Sequence, residues 1–345
     1  MDIEKIPSFS GSAQEIGAAY AQRYQREIAG FFTQEFCRYK YSKSFLSSCI
    51  KITSKQTPSA FAFLKGAIKQ SLLSIEEHFL LMLHEEELYH RNLHNKMPHC
   101  SAIGVVVKDK NAKFTILGQN WDWSTTYYPW TSFNRFALSG APRVLALSYP
   151  GLPVCAGLNS AGLTLMWTGA GYLPPVMPKV GVSTYALLFE LLLKRDVAEA
   201  VRYLKNVQNA GAFIFLLGDS QGKFVLVEGV PGKIFFSGDE FENKPGHRAN
   251  IFEFPQAITA AKQKFPSINK CHSLKRNKVM NKFSRKLELR PSVAGVKSTL
   301  SHPTLLVEKS FSHATLIQLI VNSRKKELYF RSWRQKQKRW SKVRV

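Results

Sequence analysis

Cys100 is the residue of this 345-residue chain whose type and surroundings best suit covalent chemistry. It opens the first strand-like apolar run, Ala102 to Val107, and Ser101 follows it. About twenty residues on, Asp122 lies in Gly118-Gln119-Asn120-Trp121-Asp122-Trp123, at the end of the run that would fold back as a partner strand. With the turn near Asn111, residues 102 and 120 fall roughly opposite each other, and Asp122 projects past the strand end that carries Cys100. A thiol beside a carboxylate at a strand end can become a nucleophile if it finds a base. Were the peptide bond before Cys100 cut, its own α-amine, with an unperturbed pKa of about 7.7 to 8.0, could serve. The competing reading is the commoner one for a lone cysteine, a small buried hydrophobe.

Other constellations are weaker. His84, His90, His94 and His99 precede Cys100, and His90 and His94 have the i, i+4 spacing that zinc sites use. His84-Glu85-Glu86-Glu87-Leu88 is not a metalloprotease H-E-x-x-H, and no further ligand is placed by sequence, so no metal is expected. No glycine pattern for a dinucleotide or phosphate loop is present, and no cofactor is expected. Ser183-Thr184 and Ser101 lack an identifiable base. Trp121, Trp123, Tyr127, Tyr128, Trp130 and Phe133 are dense enough to line an acyl pocket, with ordinary core packing the alternative.

The elements that would position these residues change character near Pro98 to Cys100. Before it, Ala13 to Ile28, with Ser12 as cap, and Phe61 to His90 read as helix. After it come short apolar runs joined by turn residues: Phe114 to Gly118, Val144 to Ser148, Val154 to Leu158 and Leu163 to Trp167. Two helices, Ser183 to Leu193 and Asp196 to Val207, are followed by strands at Phe213 to Leu217, Phe224 to Glu228 and Lys233 to Phe236. A last hairpin joins Thr315 to Val321 with Leu328 to Trp333. Antiparallel runs without strand-helix-strand alternation predict an α+β protein with stacked sheets covered by helices.

Composition sets the outer bounds. With 45% hydrophobic and 12% aromatic residues the chain is globular, long enough to bury a core without disulfides. Length alone suggests about two domains, although layered folds of this size often form one unit. The five cysteines, at 37, 49, 100, 155 and 271, form no C-x-x-C pair and fit a reducing compartment. The longest apolar run, Tyr185 to Leu193, contains Glu190 and falls short of the roughly 20 residues that cross a bilayer. Met1 to Pro7 has no secretory pattern, so a cytoplasmic protein is expected. The formal charge is +24. Most of it sits in two runs, Lys262 to Arg290 and Arg324 to Arg344, each with ten basic residues against one glutamate. Such runs would suit an anionic membrane surface, with Trp333 and Trp340 interleaved, and equally a solvated face. Nucleic acid is not expected, because no recognition motif accompanies them.

Cys100-Ser101, then Gly118-Gln119-Asn120-Trp121-Asp122, then Gly157-Leu158-Asn159-Ser160-Ala161-Gly162-Leu163 resemble the isopenicillin N / acyl-coenzyme A:6-aminopenicillanic acid acyltransferase family of N-terminal-nucleophile (Ntn) cysteine hydrolases. The resemblance runs from Phe9-Ser10-Gly11 to Asn250 and returns at Thr315 to Trp333. It implies an αββα four-layer sandwich and a precursor that cuts itself between His99 and Cys100. Residues 1–99 would then be a helical pro-segment or α-chain packed on the core. Residues 100–345 would be the Ntn β-chain, with a basic excursion near 262–290.

By the same resemblance Cys100 is the nucleophile, Asp122 orients its amine and Asn250 is the oxyanion donor, while Trp121, Trp123 and Thr168 fall at the substrate. Asn120 and Asn159 carry weaker claims, the first because strand alternation is expected to face it away from Asp122, the second as the residue making the turn before Gly162. The implied substrate is a small linear acyl amide or acyl thioester, with water or an amine as acyl acceptor. Departures are His99 where the family commonly has glycine, Ile251 where a histidine often follows the asparagine, and Gln119 where bile-salt hydrolase and acid ceramidase relatives have arginine. Those relatives also carry an asparagine near the position of Thr168. The alternative is a non-catalytic protein of this fold that binds anionic membrane or nucleic acid through its basic segments.

Overall fold

A computed structural model describes residues 6–36, 41–93, 100–109, 112–238, 244–264, 271–307, 312–332 and 339–345. The described residues from Ala13 to His90 are mainly helical, in more pieces than their composition suggests: α1 (Ala13–Arg23), α2 (Gln25–Phe36), α3 (Lys43–Gln56), α4 (Pro58–Ala67), α5 (Ile75–Met82) and α6 (His84–His90). Ser12 caps α1 as expected, within a capping box completed by Glu15. The single helix expected from Phe61 to His90 is instead α4, α5 and α6, because Ser74 and Glu77 form a second capping box that starts α5 afresh. Likewise the helix expected over Ala13 to Ile28 breaks at Tyr24. The backbones of α1 and α4 touch where they cross. A Cβ on Gly17 would lie 2.0 Å from the Phe63 carbonyl oxygen, and one on Gly66 would lie 1.9 Å from that of Gln14.

Two sheets follow. The larger has the order β1 (Ser8–Gly11), β4 (Ser132–Leu138), β5 (Val144–Tyr149), β6 (Leu152–Asn159), β7 (Thr164–Thr168), β8 (Phe213–Gly218), β9 (Phe224–Val230), β10 (Lys233–Phe236). All its pairings are antiparallel except β1 with β4. The smaller has the order β11 (Gly246–Arg248), β2 (Ser101–Asp109), β3 (Ala112–Ser124), β12 (His313–Asn322), β13 (Glu327–Ser332), β14 (Ser341–Arg344). Every residue of β5 to β9 is buried. A strand covered on both faces needs no polar alternation, which is why these runs read as continuously apolar.

The covering helices make the outer layers. α1 lies on β1 and β4, and α7 (Thr184–Leu191) lies on β6. On the other side α10 (His272–Leu289) crosses β11 and β2, and α11 (Val293–Leu300) crosses β3 and β12. Between them β2 and β3 face β7 and β8, giving the expected four-layer αββα sandwich. Alternation along β2 divides its side chains between layers: Ala102 and Val106 join the core between the sheets, whereas Ile103 and Val105 join a smaller one under α11.

Candidate functional site

The β2–β3 hairpin pairs Ser101 with Asn120 and Ala102 with Gln119, one residue off the expected register. Cys100 thus stands at the strand end beside Asp122, and its Sγ lies 3.7 Å from the Asp122 carbonyl oxygen. Asn120 does not face away from Asp122 as expected: residues two apart on a strand share a face, so both point toward the outer helices, while Gln119 and Trp121 point between the sheets. Asn120 is used structurally, donating to the carbonyls of Leu300 and Leu305 at 3.0 and 2.8 Å. Gln119 clamps the sheets together through both backbone polar groups of Trp167.

Asp122 is wholly buried. Its Oδ1 accepts from Thr315 Oγ1 at 2.5 Å and its Oδ2 from Arg276 Nη1 at 3.3 Å. Thr315 is its ladder partner on β12, where a register shift between Thr315 and Ile317 marks a bulge of the kind that re-aims side chains.

Asn250 arrives from β11. That strand runs antiparallel to β2 with Arg248 opposite Ala102, and continuing the register two residues brings Asn250 alongside Cys100. It has a left-handed backbone, φ +62°, which asparagine tolerates better than most residues. Its Oδ1 accepts from Arg276 Nη2 at 3.3 Å, and its Nδ2 donates to the Gly169 carbonyl at 2.7 Å. A buried anchor holds this turn: Glu228 accepts from Arg248 Nε at 2.7 Å and from the backbone N–H groups of Glu253 and Phe254. Asn159 is a turn residue, its Oδ1 accepting from the N–H groups of Ala161, Gly162 and Leu163.

Arg276 escaped the sequence reading. It lies in the basic run near 262–290, whose described part includes α10, and its side chain points inward with Ser273, Met280 and Leu287. That helical spacing, 273–276–280–287, was the available signal: one of the ten basic residues shares a face with apolar ones. Lys275, Lys278, Lys282, Arg285 and Lys286 are exposed on the same helix. In the second basic run, Lys342 and Arg344 pair with buried Glu327, and the Trp340 ring lies against Lys297 and Arg331. Trp333 lies outside the described residues.

Burial, then the Asp122 charge, push the Cys100 thiol up to about 12, against a partial offset from Arg276. A thiol so placed favours its protonated form. Burial also drives Asp122 up to about 7, opposed by Arg276 and Thr315. Cys49, Cys155 and Cys271 are buried too, and burial raises the thiols of Cys49 and Cys155. Cys37 lies outside the described residues.

Cys100 lines a small cavity of about 30 Å³. Trp121, Trp123, Tyr127, Tyr149 and Trp167 form its walls, joined by Tyr185, Gly169, His84 and Glu85. The ring centroids of Trp121 and Trp167 lie 5.6 Å apart, and those of Trp123 and Tyr127 5.7 Å apart. Trp121 Nε1 donates to the Tyr149 hydroxyl at 2.6 Å. Thr168 is buried between Trp167 and Gly169, which line the cavity, and is not itself on the wall.

His84 Nε2 meets the Tyr127 hydroxyl at 2.9 Å, and that hydroxyl donates to Glu35. His90 sits 3.8 Å from Glu87; His94 and His99 lie outside the described residues. Among the described residues no cluster of three or more His, Cys, Asp or Glu could hold a metal ion, and no helix is long and apolar enough to cross a membrane.

No protein-family model matches the chain, and no curated protein does. Solved structures do. Conjugated bile acid hydrolase from Clostridium perfringens, in a cysteine-to-alanine variant, superposes with a TM-score of 0.50 at 11% identity, covering 71% of this chain and 92% of that one. An arginine-to-leucine variant of the same protein gives 0.50 and 11%, covering 70% and 92%. Penicillin V acylase from Agrobacterium tumefaciens gives 0.47 at 17% identity, covering 71% and 86%. At 11% identity the first two establish a likeness of fold, and that fold is the Ntn-hydrolase sandwich.

Proposed function

We propose that this chain is an Ntn-type cysteine amidohydrolase that cuts itself before Cys100 and then cleaves a small linear acyl amide through an acyl-enzyme. The observation that carries the reading is the meeting of three chain segments at one strand end. Cys100, just before β2, reaches the Asp122 carbonyl on β3, and the two arms of Arg276 join Asp122 to the Asn250 turn after β11.

In self-cleavage Sγ attacks the carbonyl carbon of residue 99. The C–N bond to Cys100 breaks, its nitrogen takes the thiol proton, and water hydrolyses the resulting thioester to leave chains of 99 and 246 residues. The freed α-amine supplies the base that a thiol held near 12 lacks. Asp122, anchored by Thr315 and Arg276, would hold and orient it.

For an amide substrate the α-amine takes the thiol proton as Sγ adds to the carbonyl, and the oxygen becomes an oxyanion. Asn250 Nδ2 carries two hydrogens, one given to Gly169 O on the cavity wall, so the other can meet that oxyanion. The ammonium then protonates the leaving nitrogen, the C–N bond breaks, and the acyl group remains on sulfur. Water, losing its proton to the amine, releases the acid and restores the thiol. An amine taking water's place would make the enzyme an acyltransferase, and a thioester could enter in place of the amide.

The test is the intact mass of the purified protein beside Cys100→Ala. Two fragments, the second beginning at Cys100, are expected in the unaltered protein alone. A thiol-directed acylating probe should then label Cys100 far faster than the other cysteines. A single uncut chain in both samples, with uniform labelling, would remove the hydrolase reading.

A further inference from the structure

We propose that the cavity beside Cys100 accepts a cationic arm of the substrate, an ammonium or methylated onium group carried on the amide that is cleaved. This rests on the reading of Cys100 as the nucleophile and names the substrate class for it. The wall is built for a cation in two ways. Three indoles and three phenols, Trp121, Trp123, Trp167, Tyr127, Tyr149 and Tyr185, surround the space, and aromatic faces attract positive charge through their quadrupoles, most strongly when water is excluded. Glu85, only 2% exposed, adds a carboxyl to the same wall.

A further acidic group stands behind the rings. Glu35 accepts from the Tyr127 hydroxyl and lies 3.8 Å from His84. In a chain with 48 lysines and arginines, none lines this cavity among the described residues. A purely hydrocarbon acyl arm gains nothing from a carboxyl and would strip water from it, which is unfavourable. An onium arm meets the carboxyl with opposite charge and its methyl groups with the rings.

The experiment compares isosteres that differ only in charge. Choline and its neutral counterpart 3,3-dimethylbutan-1-ol are titrated into the purified protein and followed by tryptophan fluorescence and calorimetry. In parallel, the 4-nitroanilides of 4-(trimethylammonio)butanoic acid and 5,5-dimethylhexanoic acid are tested as substrates. The onium member is expected to bind, and to be cleaved in terms of kcat/KM, about tenfold better or more. Glu85→Gln is expected to shrink that ratio. Equal or better handling of the neutral member, or no binding of either, overturns the proposal on the unaltered protein alone, so a variant that fails to fold does not protect it. If choline binds preferentially while neither anilide is cleaved and Cys100 carries no acyl group, the hydrolase reading fails and the cation site stands.

Discussion

Arg276 offers the sharpest test, because it bonds both Asp122 and Asn250. In Arg276→Met, Asp122 keeps its burial and loses its counter-charge, and Asn250 Oδ1 loses its donor. Removing one member of a buried ion pair typically costs 3–5 kcal/mol. Both contacts here are 3.3 Å, at the long end for charged hydrogen bonds, so about 3 kcal/mol is expected in denaturant unfolding. With its Oδ1 donor gone, Asn250 is left with its Nδ2 bond to Gly169 and is aimed less firmly, and a misaimed oxyanion donor costs on the order of a hundredfold in kcat. Arg276→Lys separates the two effects. An ammonium is a point charge and cannot span Asp122 Oδ2 and Asn250 Oδ1 as the guanidinium fork does. It should recover most of the stability while leaving kcat about tenfold down or more, with KM little changed. Assays are urea unfolding, intact mass for self-cleavage, and kcat against KM on a chromogenic amide. An Arg276→Met protein that cuts itself and turns over at the normal rate would refute the reasoning. An Arg276→Lys protein with full turnover and lost stability would make the arginine a structural prop.

Three more perturbations address other links. Asn250→Gly keeps the left-handed backbone, so it should fold normally and lose about 10²–10³ in kcat, whereas Asn250→Ala should add about 1–2 kcal/mol of strain; normal kcat in the glycine variant would remove the oxyanion role. Gly17→Ala sets a methyl group 2.0 Å from the Phe63 carbonyl oxygen and should lower stability by about 1–3 kcal/mol in thermal unfolding, unless α1 and α4 separate without cost. Burial raises Glu86 to about 7 although Thr184 donates to it twice, so between roughly pH 4.3 and 7 the folded chain holds a proton that the unfolded chain has released. Its contribution is therefore full below about pH 4.3 and is lost as pH rises toward 7, by about 4 kcal/mol. Glu86→Gln keeps an acceptor for Thr184 and should flatten the decline of Tm over that range; an unchanged slope would count against it.

What could be read along the chain is what depends on neighbours along the chain. Ser12 beside a helix-forming run announces a cap, Asn159 before Gly162 announces a turn, and two apolar runs around Asn111 announce a hairpin that must carry Asp122 toward Cys100. Sheets stacked under helices followed from the same local patterns. Helix breaks were hidden because α4 to α6 share one helix-favouring composition; capping contacts at Ser74 start α5 afresh, and the break between α5 and α6 falls at Leu83, which has no side-chain cap.

The rest was decided across space. Asn250 is brought toward the Cys100 end of β2 because β11 pairs with β2 across some 145 residues of sequence, a pairing no local pattern encodes. Arg276 looked like one charge in a basic run until α10 lay on the sheet and turned one helical face inward, where a guanidinium persists by pairing with Asp122. The aromatic residues of β3, β5, β7 and α7 become one cavity wall only when two sheets and a helix are stacked. Local propensity is set within a few residues, whereas burial and charge pairing depend on which surfaces the finished fold brings together.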